Sequence, residues 1–175
     1  MTTKILLLRG VNVGGVKLPM AAFREMLVGL GLGNVRSYIQ SGNAVFADPG
    51  IADLAEKIAA GLNKDFDLSS AIFLYSAPEF DAILAECPFA AEGRVDGAKV
   101  HLFFLAEPVA APIAPLHAFI TTERFALTPR ALHLHAPNGI GRSALVGKLP
   151  RLLKSVMTAR NWNTLRALAA MAKTP

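Results

Sequence analysis

The chain has 175 residues, 53% of them hydrophobic, with a single cysteine and a net charge of +5. That length suits one medium domain or two small ones, and it can bury roughly 70% of its unfolded surface without a metal or disulfide staple. The lone Cys87 excludes an internal disulfide, and no stretch approaches the ~20 apolar residues of a membrane helix.

Residues 4–8 form a short apolar run that reads as a buried strand and stops at Arg9, too short for a secretory signal. The expectation is a soluble cytoplasmic protein with no membrane partner. Residues 9–17 follow as a loop holding Gly10, Gly14 and Gly15. Pro19 then suits the first turn of a helix on which Met20, Phe23, Met26, Leu27 and Leu30 recur at helical spacing. Gly31 and Gly33 end it. Residues 35–40 read as a strand, Ser41-Gly42 as a two-residue hairpin turn, and residues 43–47 as the partner strand. Ile51, Leu54, Ile58, Leu62 and Phe66 mark a second amphipathic helix, and residues 71–75 a fourth strand.

A short helix over 78–87 and a linker over 88–98 lead to a strand at 100–105. A short helix at 112–119 and strands at 124–127 and 131–135 come next. A loop at 137–143 precedes helical pattern, in which Pro150 opens a fresh helix. A last helix covers about 161–172. The order predicts an α+β protein of two ferredoxin-like (split βαββαβ) subdomains, the second with a missing or weak fourth strand. The subdomains are expected at 1–76 and 99–175, joined by a connecting helix and linker at 77–98.

The first unit carries a site argument. Its first two strands should run parallel because a right-handed helical crossover joins them. The loop after strand one and the turn after strand two then leave the same sheet edge. Arg9, Asn12, Gly14, Gly15, Gln40, Ser41 and Asn43 should gather there, close to a helix N-terminus that suits an anion. The alternative is that the glycines only serve turns and Asn12 bonds its own backbone. A phosphate-binding P-loop is excluded, because Val16 stands where its lysine is needed.

The charge is split along the chain. Residues 1–123 hold nine Lys or Arg and all thirteen acids, whereas residues 124–175 hold nine Lys or Arg and no acid. This points to an anionic partner, or to a basic segment that packs on acidic residues of its own chain or is simply solvated. Within that segment Gly141, Arg142 and Ser143 precede a helix that Ser143 can cap and beside which Arg142 can hold an anion. Arg160, Asn161, Trp162 and Asn163 form a second polar group, in which Trp162 either stacks on a base or anchors the core. His133 and His135 share one strand face, and a third histidine such as His101 is needed before a metal site is worth considering. No metal and no cofactor are expected. Cys87 has no neighbouring positive charge to activate it.

The stretches LLRGVNVGG, Met20, VRSYIQSGNAVF, GIGRSAL and TARNWNTL together resemble the bacterial family called domain of unknown function 1697. The resemblance spans nearly the whole chain. It implies two ferredoxin-like subdomains and brings no activity, cofactor or catalytic residue. Lys148 and Pro150, following GIGRS, are expected to shorten the helix there. The leading expectation for function is a binder of an anionic ligand, either nucleic acid or a phosphorylated small molecule. The alternatives are an enzyme acting on a phosphorylated or nucleotide substrate between the two halves, and a module for protein interaction or self-association.

Overall fold

The computed structural model describes residues 1–174 and divides into two compact units. Unit 1 comprises Met1–Asp81 and the C-terminal stretch from Arg166, and unit 2 comprises Ala82–Leu165. The architecture is mixed α+β, with two four-stranded antiparallel sheets. None of the helices is long and apolar enough to cross a membrane among the described residues.

In unit 1 the order is β1 (Thr2–Leu8), α1 (Met20–Gly29), β2 (Gly33–Tyr38), β3 (Asn43–Asp48), α2 (Leu54–Phe66) and β4 (Ile72–Ser76). The sheet order is β2-β3-β1-β4. β3 pairs antiparallel with both β1 and β2, so those two run in one direction, as the crossover argument requires. Alternation decides what each strand buries. Leu6, Leu8, Ala44 and Phe46 face the two helices and join Phe23, Leu27, Ile58 and Leu62 in one core. On the opposite face Ile5, Leu7, Val45 and Phe73 are also buried. From β2, Arg36 donates to the carbonyls of Met171 (2.8 Å) and Thr174 (2.7 Å), a cation at the C-terminal end of the last helix.

Two local expectations are corrected here. The β2–β3 turn has four residues, 39–42, and Tyr38 pairs with Asn43. The strand stops short of Gln40 because Ile39 turns left-handed, at φ 49°.

Unit 2 takes in α3 (Ala77–Ala85) from Ala82 on. It then holds α4 (Ala90–Val95), β5 (Val100–Leu105), a 3-10 turn (Ala114–Phe119), β6 (Arg124–Leu127), β7 (Ala131–His135), α5 (Ala144–Leu153) and β8 (Met157–Asn161). α6 (Trp162–Lys173) follows directly. The sheet order is β6-β7-β5-β8. The fourth strand is therefore present. Met157–Asn161 escapes a hydrophobic reading because its sequence, MTARN, holds three polar residues; pairing with β5 and burial of Thr158 and Arg160 make it a strand. The expected linker is also structured: it folds as α4, whose Gly93 lies against Trp162. Finally, α5 runs through Pro150 rather than restarting there, because Leu145, Leu149 and Leu153 hold one buried stripe on either side of it.

Candidate functional site

At the unit 1 edge, the loop 9–17 and the turn 39–42 meet as the topology predicts. Asn12 joins them. Its amide donates to the Gln40 carbonyl (2.6 Å) and the Leu18 carbonyl (3.0 Å), and its Oδ1 accepts from the Leu18 N–H (2.8 Å). The Leu8 N–H donates to the Gly42 carbonyl at 2.9 Å. Gly42 has φ 70°, and a Cβ there would collide with Val11 and with Leu8. Asn43 is fully buried and donates to the Tyr38 carbonyl and to Ser41 Oγ. Ser70 holds the Arg9 backbone, accepting from its N–H (3.1 Å) and donating to its carbonyl (2.8 Å). Asn12 and Asn43 thus serve the fold, with both amide hydrogens of Asn12 consumed. Arg9, Gly14, Gly15 and Gln40 remain exposed.

In unit 2, Ser143 caps α5 by accepting from the Val146 N–H (3.3 Å). The anion at this helix start is the protein's own. Glu123, only 7% exposed, accepts from the Thr121 N–H (2.9 Å), the Thr121 hydroxyl (3.0 Å) and the Thr122 N–H (3.1 Å). Donation from the Ser143 hydroxyl, followed by that from the Thr121 backbone, holds its carboxyl down to about 2. These groups, with Asn138, Gly139 and the exposed Arg142, line a cleft of about 220 Å³. A carboxylate in its wall opposes the exogenous anion expected beside Gly141, Arg142 and Ser143. The sequence carried no local signal for Glu123, since it lies 20 residues from Ser143.

The Arg160–Asn163 group is also largely structural. Arg160 is buried and donates to the Thr158 hydroxyl (2.9 Å) and the Ala159 carbonyl (2.8 Å). Burial lowers its pKa to about 10, so it stays charged at neutral pH. Asn161 accepts from the Thr164 N–H (2.9 Å) at the start of α6. Trp162 is 6% exposed with its indole on Gly93, so it is a packed anchor and not a stacking platform. Asn163 approaches Gly97 too closely to admit a Cβ there.

The histidines do not form a trio. Register puts His133 opposite Leu102 and His101 opposite Leu134, so His101 lies on the other face of the sheet from His133 and His135. Burial lowers both His133 and His101, the latter to about 4. His135 contacts Arg124 (3.1 Å), which pairs with Glu92 and lies over the Phe89 ring, tying α4 to the sheet. Cys87 is buried, and burial raises its thiol pKa.

What remains available in unit 2 is the outer side of α5. The buried stripe of Leu145, Leu149 and Leu153 leaves Lys148 and Arg151 outward, with Arg142 and Lys154 exposed at the two ends. None of these four cations forms an ion pair among the described residues. Lys148 Nζ lies 5.7 Å from the Phe119 ring. Together with Pro115, Ala118, Arg151 and Leu152 they line a groove of about 370 Å³. The sequence signal that points here is the helical spacing of Lys148 and Arg151 in a segment with no acid.

The family described as "Protein of unknown function (DUF1697)" matches residues 1–133, a span that ends before GIGRSAL and TARNWNTL. No curated protein matches the sequence. The solved structure of the conserved bacterial protein SP0830 from Streptococcus pneumoniae is similar, at 27% identity. It covers 99% of each chain with a TM-score of 0.75.

Proposed function

The chain belongs to the protein family of unknown function DUF1697, and for it we propose the binding of an anionic ligand on the outer side of α5, with nucleic acid favoured over a phosphorylated small molecule. One observation carries this reading. Lys148 and Arg151 on α5 and Lys154 at its C-terminal cap are exposed and in no ion pair among the described residues, and the first two line an apolar groove. Cations spaced along a helix match the repeated charge of a phosphate backbone, whereas a small phosphorylated molecule calls for convergence on one point. Phe119 at the groove adds an aromatic ring of the kind on which single-stranded bases stack. A reducing cytoplasmic setting fits the lone buried Cys87. The strand orders β2-β3-β1-β4 and β6-β7-β5-β8 support a ferredoxin-like reading of each unit.

The test is fluorescence anisotropy with a labelled single-stranded oligonucleotide across a salt series. Three phosphate contacts give a log–log slope of about −2. Reversing two charges with Lys148→Glu and Arg151→Glu should weaken binding ~10-fold or more at low salt. Absence of binding at low salt contradicts the nucleic-acid reading. Saturable binding of inorganic phosphate, with none of the oligonucleotide, moves the assignment to a small ligand.

A further inference from the structure

The edge built by the loop 9–17 and the turn 39–42 has a second property that its hydrogen bonds do not explain. Of the seven large hydrophobic residues exposed in the described chain, three lie here: Val13 (60%), Val16 (37%) and Ile39 (51%). Ile39 is also held at φ 49°, a left-handed conformation that β-branched side chains rarely adopt. Asparagine or glycine at that position relieves both the strain and the exposure, so neither folding nor solubility accounts for isoleucine. Asn12, next to Val13, donates to the carbonyl of Gln40, next to Ile39, at 2.6 Å, which holds the loop that carries Val13 against the turn that carries Ile39. Arg9 and Lys17, at the two ends of the loop, are exposed and in no ion pair among the described residues.

We infer that this edge is a docking surface for a partner protein that presents an aliphatic or aromatic side chain flanked by acidic residues. Charge complementarity selects the acidic partner, since the loop that carries Val13 and Val16 begins and ends on exposed cations in no ion pair among the described residues. A lipid surface fits less well. The patch holds no Trp, Tyr or Phe to anchor at the headgroup level, and two cations give weak attraction to an anionic leaflet.

The experiment is selection of a random peptide display library on the full chain, followed by anisotropy titration of an enriched peptide. The result expected is enrichment of peptides with Asp or Glu around a large apolar residue. Ile39→Asn and Val13→Ser should each weaken the peptide ~5-fold or more, and Arg9→Glu at least as much. Because asparagine tolerates the left-handed conformation, Ile39→Asn should melt no lower than the parent, which separates lost binding from lost fold. Lys148→Glu should leave the peptide affinity unchanged, so this outcome is independent of the α5 surface. Enriched peptides without acidic residues overturn the proposal, as does equal affinity for the Ile39→Asn and Val13→Ser variants. A dimer in light scattering that Ile39→Asn dissociates identifies the occupant as a second copy and also overturns it. Sedimentation with anionic vesicles that depends on Ile39 does the same.

Discussion

At the scale of single residues, Gly42 and Asn12 concentrate the constraints of unit 1. Gly42 needs a positive φ and has no room for a Cβ beside Val11 and Leu8. Gly42→Ala should therefore destabilise by roughly 1–3 kcal/mol, read as a lowered midpoint in urea at unchanged slope. Asn12→Ala leaves the Leu18 N–H without its partner, and the expected loss is also about 1–3 kcal/mol.

Titratable residues give the pH dependence. The folded Glu123 carboxyl is lowered from 4.5 to about 2, so its stabilisation is complete above 4.5 and is lost as pH falls toward 2. His101 is buried neutral, with its pKa lowered from 6.5 to about 4. The unfolded chain takes up that proton first, so stability falls as pH drops from 6.5 toward 4. His101→Gln should reduce the fall of the urea midpoint between pH 6.5 and 4, the remainder coming from His133, which burial lowers in the same direction, while leaving the loss below pH 4 in place. An unchanged profile from 6.5 to 4 contradicts the assignment.

At the scale of elements, α5 holds a proline whose missing N–H and ring oppose the turn before it. Pro150 is exposed, and its neighbours Leu149 and Leu153 carry the packing. Pro150→Ala should stabilise by roughly 1–3 kcal/mol in chemical denaturation, whereas a loss of stability contradicts this view of the helix. The same helix shows why sequence pattern misleads here: proline punctuation argued for a break, and the buried leucine stripe overrides it. β5 was legible to the residue because all six of its side chains are buried and five of them, all but His101, are apolar. β8 was not, because the strand signal lies in pairing with β5 rather than in composition. The meeting of the loop 9–17 with the turn 39–42 was legible from chain order and crossover handedness alone. Its chemistry was not, since a side chain such as Asn12 reads the same whether it binds a ligand or the Gln40 carbonyl.

At the scale of the whole molecule, the absence of acids after Glu123 is the feature that sequence and structure both mark. The structure redistributes its meaning. Arg160 is buried, and Arg124, Arg130 and Lys173 are paired with Glu92, Glu86 and Asp81, which leaves Arg166 on α6 and a larger group of exposed cations on and around α5. Motif residues that suggested a site, Asn12, Asn43, Ser143 and Trp162, are occupied in capping, bridging and packing. Short polar motifs and fold-defining motifs share the same residues, Asn, Ser, Gly and Trp, so composition could not separate them. The central claim is that polyanion binding belongs to α5. Amide chemical-shift mapping with an unlabelled single-stranded oligonucleotide tests it most directly. The result expected is a set of perturbed amides confined to residues 144–154 and to Ala114–Phe119. Perturbation centred on residues 9–17 and 39–42, with α5 unmoved, contradicts the account.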